Sequence, residues 1–387
     1  MLAARRTAAF GESMISEMTR LAHLHGAVNL AQGFPDFPMP DAMKEAACAA
    51  INGDINQYAV TYGAPVLRQG IAEKYRRWYQ MEVDPDENVT VTCGATEAMA
   101  TAFMALLNPG DEVIVLEPFY ENYGPDAVLA GATPVMVPLT RDTWALDEVA
   151  LRKAFTPRTK AIVINTPHNP TGRVMTRAEI DVIANLCVEH DVWAVSDAPY
   201  EHMVFAGHHH EIATWPGMRE RTITISSLSK TYSATGWRIG WIISPTALTK
   251  AIRQVHDFLT VGAAAPLQAA AAVGFAFDAD YYNHFTSLYK QKRDFLCKAL
   301  REAGFKFAVP EGAYYIFADF SDISDLDDVT FAKWMTQELG VATIPGSGFF
   351  ANPEHGRIYT RFAFCKKQET LDDAVQRVGG LKAALAG

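Results

Sequence analysis

KAIVINTPHNPTGRVMTRAEIDVIANLCVEHDVWAVSDAPY, residues 160–200, carries the pattern that decides the fold. Lys160–Asn165 and Val192–Ser196 are short runs, apolar almost throughout, and they predict strands covered on both faces. Between them Thr176–His190 has the spacing of a helix. Strand, helix, strand is the signature of a mostly parallel α/β sheet. Ligands bind in such sheets beyond the carboxyl ends of the strands. Here those ends lead into Asn165-Thr-Pro-His-Asn169-Pro170 and Asp197-Ala-Pro-Tyr200.

The same alternation extends outward in both directions. Val89–Thr92, Glu112–Leu116, Thr133–Val137, Thr222–Ile225 and Ile239–Ile243 also read as strands, which makes a seven-stranded sheet the expectation. Glu97–Leu107, Glu121–Ala130 and Asp147–Phe155 read as the intervening helices. The apolar, Ala-rich stretch Val261–Phe277 is interrupted by Pro266 and Gln268; it is too short for a membrane span and reads as a buried helix. The ends differ. Met1–His25 is an amphipathic arm, followed by the Gly/Pro-rich segment Gln32–Pro40. After Tyr281 come a charged helix (Tyr289–Glu302), strands near Tyr314–Asp319, and helices at Val329–Leu339 and Thr370–Leu385. The expected organisation is a large domain over 41–280 and a smaller α+β domain over 281–387, joined by the N-terminal segment 1–40.

Composition narrows the function. The chain has 387 residues, 49 % hydrophobic and 20 % charged, as in a globular protein that needs no disulfide or metal to fold. Lys+Arg is 34 and Asp+Glu 44, a net charge of −10 with no basic block, which argues against nucleic acid and anionic membranes as partners. Cys48, Cys93, Cys187, Cys297 and Cys365 are odd in number and scattered, which points to a reducing compartment. The N-terminal segment lacks the apolar core of a signal peptide. The expected location is the cytoplasm.

Five constellations bear on chemistry. Gly94-Ala95-Thr96-Glu97 follows a strand and opens a helix, so it reads either as a phosphate cradle or as an ordinary tight turn. The Walker pattern and GxGxxG are absent, which counts against ATP and NAD. Asn169 sits in a rigid, twice-proline loop, while His168 reads as a plain loop histidine. Asp197, at the end of a buried strand, calls for a cationic partner, either a bound ring nitrogen or an arginine. Lys230 lies in the hydroxyl-rich turn Ser226-Ser227-Leu-Ser-Lys230, with Arg238 nearby; a dry, cationic setting lowers an amine's pKa and favours Schiff-base chemistry. Arg361, between aromatic and apolar neighbours, suits a carboxylate or a structural ion pair. Other motifs fail. Ser227–Lys230 matches SxxK, but no KTG follows. His208-His-His-Glu211 lacks the second ligand of HExxH, because Thr214 stands there, and reads as a surface loop. There is no GxSxG, and Asp322–Asp328 lacks calcium-loop spacing and reads as a solvated loop capping the next helix.

In order and spacing, the five together resemble the class I/II aminotransferases, fold-type-I enzymes that use pyridoxal 5′-phosphate (PLP). The resemblance covers almost the whole chain. Asn29–Phe37, Asn56-Gln-Tyr58, Glu117-Pro-Phe-Tyr120 and Thr235–Trp241 are similar to the branch holding kynurenine and bacterial methionine aminotransferases. The resemblance implies that Lys230 anchors PLP covalently and moves the substrate's α-proton. It implies that Asp197 pairs with the pyridine nitrogen, Asn169 and Tyr200 bond the ring oxygen, and Tyr120 stacks on the ring. Ala95, Thr96, Ser227 and Arg238 hold the phosphate. Tyr58 reaches the neighbouring subunit's cofactor, which implies a homodimer. Arg361, Asn169 and Gly33 take the substrate α-carboxylate. Ile15, Tyr62 and Phe349 are the expected side-chain wall. Thr96, Ile15, Ala263 and Ala264 stand where the kynurenine enzymes place aromatics, and this favours an apolar or sulfur-containing donor such as methionine. No second arginine is evident for a distal carboxylate. Pro199 is unusual before Tyr200. The implied reaction is transamination between an amino acid and a 2-oxo acid; the alternative is β-elimination at a C–S bond by the same residues. A PLP-binding regulator is disfavoured, since the chain has no basic recognition helix.

Overall fold

The computed structural model describes residues 4–386; Met1–Ala3 of the expected arm and the terminal Gly387 lie outside the described residues. Seven strands form the main sheet: β2 (Val89–Thr92), β3 (Glu112–Glu117), β4 (Thr133–Pro138), β5 (Thr159–Asn165), β6 (Trp193–Asp197), β7 (Thr222–Ser227) and β8 (Gly240–Ile243). Their order is β2-β8-β7-β6-β5-β3-β4. All neighbours are parallel except β8, which runs antiparallel to β2 and β7. The central strands are buried on both faces. On β5, Ile162 and Ile164 join one apolar cluster while Ala161 and Val163 join the other. That is the period of two expected of a strand with a helical layer on each side.

Except for α1 (Met14–His25), which packs on the C-terminal part of the chain, helices fill those layers: α2 (Asp41–Asn52), α3 (Pro65–Tyr79), α4 (Gly94–Leu106), α5 (Tyr123–Leu129), α6 (Glu148–Ala154) and α7 (Arg177–His190). Then come α8 (Leu228–Thr231), α9 (Thr246–Leu259) and α10 (Ala265–Phe275). Local chemistry sets several starts. Thr176 and Glu179 form a reciprocal capping box ahead of α7. Ser13 caps α1, and its hydroxyl also donates to Glu121 Oε1 at 2.6 Å, which ties the arm to the loop after β3.

The C-terminal part builds its own sheet from β9 (Tyr315–Asp319), β11 (Ile344–Pro345) and β12 (Tyr359–Ala363), antiparallel in the order β11-β12-β9. The N-terminal segment joins it through β1 (Val28–Asn29), which pairs in parallel with β10 (Val341–Ala342). Around them pack α11 (Ala279–Ala303), α12 (Asp328–Gln337), α13 (Gln368–Gly379) and α14 (Leu381–Ala386).

Four expectations need correction. The charged helix begins at Ala279, ten residues before the expected Tyr289, because Asp278 caps it and Tyr282 and Phe285 extend its buried face. The last helix is two helices, broken at Gly380. The helix after β2 starts at Gly94 rather than Glu97, since glycine tolerates the φ of +84° at its first residue. The His208–Glu211 loop is not all surface: it turns inward, leaving Glu211 only 1 % exposed. The expected capping of the helix near Val329 is present, with Asp327 accepting from Thr330 N at 2.9 Å. Among the described residues no helix is long and apolar enough to cross a membrane.

Candidate active site

A cavity of about 370 Å³ opens beyond the carboxyl ends of β2, β3, β5, β6 and β7. Ala95, Thr96, Tyr120, Asn169, Asp197, Tyr200, Ser227, Lys230, Arg238, Gly33, Arg361 and Ile15 all line it. They come from nine separate stretches of chain, so the fold itself assembles them.

One end of the cavity is an anion cradle. α4 points its free N–H groups at it, and Ala95 and Thr96 lie in that first turn. A Cβ on Gly94 would overlap the Arg238 guanidinium, and one on Gly240 would overlap the Gly94–Ala95 backbone. Two glycines thus let a strand, a helix start and a cation meet. Arg238 is held by bonds to the carbonyls of Thr235 (3.0 Å) and Cys93 (3.5 Å). Ser227 starts the short α8, on which Lys230 stands.

At the far side of the cavity lies Asp197, 7 % exposed. Its Oδ2 accepts a 2.6 Å bond from Tyr123, and Asn165 Nδ2 fixes its carbonyl at 2.8 Å. Its Oδ1 is buried without a partner. Burial pushes the carboxyl up to about 6, against the Tyr123 bond and the Lys230 charge. Among the described residues no arginine pairs with Asp197; a bound cation fits the partnerless oxygen.

Lys230 Nζ reaches only Gly33 O, at 3.1 Å, an oxygen shared with the Tyr314 hydroxyl at 2.7 Å. Burial brings the amine down to about 8; the Cys365 thiol and Asp197 oppose that shift, and the Arg238 and Arg361 charges add to it. Such an amine has a substantial uncharged fraction near neutrality, as a nucleophile requires.

Arg361 is fully buried between the rings of Tyr315 and Phe349, 4.3 and 5.0 Å from their centroids. Its NH1 donates to Asn169 Oδ1 (2.9 Å) and NH2 to Ala31 O (2.8 Å), while Nε has no partner. Asn169 in turn is set by Asn165, whose Oδ1 accepts from its backbone N–H at 2.8 Å. Among the described residues Arg361 makes no ion pair, the other reading of it.

Three expected residues stand apart from the cavity lining. Tyr58 is 86 % exposed. Tyr62 lies between the guanidiniums of Arg68 (4.6 Å) and Arg253 (3.8 Å) and is not in this chain's cavity lining. Phe349 is buried behind Arg361 as its packing support. His168 is in a loop as expected but is buried, with Nδ1 2.8 Å from Thr171 Oγ1.

Sequence reasoning missed Tyr123, Asn165 and Tyr315, and with them Gln32, Phe34 and Asn122 in the cavity wall. Tyr123 lies three residues after Tyr120, one helical turn on, so spacing carried a signal. Tyr315 bonds Tyr200 hydroxyl to hydroxyl at 3.0 Å across 115 residues of chain, and no local pattern announces that.

Comparison with known proteins agrees with this geometry. The family described as Aminotransferase class I and II matches residues 26–378. Human kynurenine–oxoglutarate transaminase 1 is 39 % identical, with 96 % of each chain covered. The Escherichia coli methionine aminotransferase is 37 % identical over 95 % of each. The structure of N-succinyldiaminopimelate aminotransferase from Mycobacterium tuberculosis superposes with a TM-score of 0.96 at 40 % identity, covering 98 % of this chain and 100 % of that one. These relatives are all aminotransferases, which does not favour the β-lyase reading. An anion cradle, an amine of lowered pKa and a carboxylate oxygen without a partner suit PLP, and the chain belongs to the class I/II aminotransferases, PLP-dependent enzymes of fold type I that pass an amino group between an amino acid and a 2-oxo acid.

Proposed function

We propose that the amino donor has an uncharged, apolar or thioether side chain, with methionine the best fit and aromatic amino acids such as kynurenine second. The observation that carries this is the charge of the wall. Lys230, Arg238 and Arg361 are the cations among the described lining residues. The cofactor occupies the first two and the α-carboxylate the third. What is left, Ile15, Phe34, Thr96, Gln32 and Asn122, is neutral. A distal carboxylate buried against such a wall lacks a counter-charge. Ile15 and Thr96 in place of aromatic rings leave room for a flexible chain.

In this reading Lys230 would hold the cofactor through its Nζ, and the same amine would carry the substrate's α-proton. PLP supplies the electron-withdrawing ring that makes that proton removable. Asp197 Oδ1 takes the ring's N–H. Asn169 and Tyr200 bond the ring oxygen, Tyr120 covers the ring, and Ala95, Thr96, Ser227 and Arg238 hold the phosphate. Arg361 and Asn169, with the Gly33 backbone, orient the α-carboxylate. Gly33 suits the close approach, because a Cβ there would overlap the Tyr315 ring.

The reading includes a homodimer in which Tyr58 reaches the neighbouring site. Its 86 % exposure and the 94 % exposure of Phe258 support a surface that another copy covers. We also read 41–280 as the cofactor-holding domain and 1–40 with 281–387 as the smaller one, a division supported by the separate three-stranded sheet. Five free cysteines fit a cytoplasmic setting.

The test is one half-reaction. PLP-loaded enzyme is mixed with methionine and no oxo acid, and the near-UV/visible spectrum is followed. A single conversion to the amine form of the cofactor, reversed by a 2-oxo acid, is expected. An unchanged spectrum with methionine but a conversion with kynurenine would reverse the order of the two donors.

A further inference from the structure

One buried charge pair lies just behind the cavity and takes no part in lining it. Glu201 follows Tyr200 directly and is 5 % exposed; Lys74, from α3, is 4 % exposed. Lys74 Nζ lies 2.7 Å from Glu201 Oε2. The ring centroids of Tyr75, Tyr79 and Trp241, at 4.5, 5.5 and 5.7 Å, enclose the ammonium. The Tyr79 hydroxyl also donates to Oε2. Farther round, His202, His209, Glu211, Tyr232 and Tyr282 also face the pair.

A pair so dry is a weak reason for stability, since apolar side chains of similar volume often serve as well. The informative part is the other carboxylate oxygen. Ser226 Oγ lies 2.9 Å from Glu201 Oε1 and 3.1 Å from Ala198 O. Ala198 is the residue after Asp197, and Ser226 stands four before Lys230. One carboxylate therefore joins the Asp197–Tyr200 turn to the β7 end that leads to Lys230, and α3 holds that carboxylate from behind.

We infer that Glu201, anchored by Lys74, is a positioning residue for transamination: it fixes the Asp197 turn against the Lys230 turn and so sets how the carboxylate and the amine face a common ring. The inference rests on reading Asp197 and Lys230 as the residues that hold that ring. Charge alone is not the point. A neutral group of the same shape keeps the volume but weakens the hold on Ser226.

The experiment uses PLP-loaded Glu201→Gln, the paired Lys74→Met/Glu201→Gln and Ser226→Ala. The first leaves a buried ammonium unpaired and is expected to melt lower. The pair removes both charges, and Ser226→Ala cuts the tie without unpairing either. Four quantities are read: melting temperature, cofactor retained on dialysis, the pH midpoint of the bound cofactor's absorbance, and kcat and KM separately. In all three variants the midpoint should move by about half a unit or more. kcat should fall about 10- to 100-fold with little change in KM, as for misplaced reacting groups. In the paired variant the melting temperature should recover while midpoint and kcat stay displaced. Wild-type midpoint and kcat in the paired variant or in Ser226→Ala overturn the inference and leave the pair a structural feature. Lys230→Ala tests the underlying reading separately: a Lys230→Ala enzyme that still turns over refutes the site assignment, whatever Glu201 does.

Discussion

Replacing Arg361 with methionine tests the proposed recognition of the α-carboxylate by that residue. Methionine keeps bulk between the Tyr315 and Phe349 rings but removes every donor. Two of the five N–H groups are engaged, with Asn169 Oδ1 and Ala31 O, and Nε is among the three that remain. Three donors suffice for a two-pronged bond to a carboxylate. Truncating one partner of a buried charge pair costs about 2–5 kcal/mol, which at about 1.36 kcal/mol per decade is roughly a 30- to 5000-fold loss in kcat/KM. Part of any loss will be structural, because Asn169 and Ala31 each lose a donor. The assay therefore compares two amines in single turnover: methionine, and 3-(methylthio)propylamine, which lacks the carboxylate. The variant should lose most of the wild-type preference for methionine, with the amine's rate changed by less than about tenfold. Equal slowing of both would refute the reasoning, make Arg361 a structural prop and place carboxylate binding elsewhere.

Lys230, brought down to about 8 by burial foremost, attacks an aldehyde only when uncharged. Capture of PLP by the cofactor-free enzyme should speed up about tenfold per pH unit below that value and level off above it; a rate still climbing near pH 10 would mark an ordinary lysine. Gly94→Ala combines a φ of +84° with a Cβ that overlaps the Arg238 guanidinium, so it should weaken PLP binding about tenfold or more by fluorescence titration. Unchanged affinity would remove Arg238 from the cradle. Asp197 titrates at about 6, above its unfolded value, so the native state holds a proton that the unfolded chain has released, and cofactor-free stability falls as pH rises through about 4 to 6. Tyr123→Phe removes a bond to that carboxylate and should cost about 1 kcal/mol more in urea unfolding at pH 8 than at pH 5, since bonds to charged groups are the stronger. An equal cost at both would mean that the carboxyl does not change its protonation between the two pH values.

Much of this was legible in the sequence for a physical reason. Strands buried on both faces read as continuous apolar runs, so β5 and β6 stand out, and the polar residues that end them stand out by contrast. Lys230, Asp197, Asn169 and Arg361 are polar groups where burial costs energy, and that mismatch is what a sequence exposes. The missing parts are those set by tertiary contact. Tyr123 and Tyr315 look like core aromatics until their hydroxyls are placed on Asp197 and Tyr200. No local pattern shows that Tyr62 lies between Arg68 and Arg253. The start of α11 moved because its first turns are aromatic and buried rather than charged. Glu211 reads as surface in a histidine-rich stretch, and only the fold carries it inside, where its carboxylate meets Thr224 at 3.0 Å.

The charges of the cavity also explain why these residues belong together. Lys230, Arg238 and Arg361 are three cations, and Asp197 is the one carboxylate among the described lining residues. In a site this enclosed, such an excess repels itself, and part of Lys230's lowered pKa comes from the two arginines. In the proposed assignment, a phosphate dianion and an α-carboxylate, partly offset by a ring N–H cation, would bring the needed negative charge, while the substrate's ammonium and the ring's phenolate would cancel. The filled site is then close to neutral, and the empty one is not. On that assignment, cofactor and substrate would relieve a repulsion that folding builds in, and Lys230 would keep its lowered pKa without a dedicated base beside it. Removing a single cation should thus raise the pKa of Lys230 in the cofactor-free enzyme, more for Arg238 than for Arg361, the order in which their charges act on it.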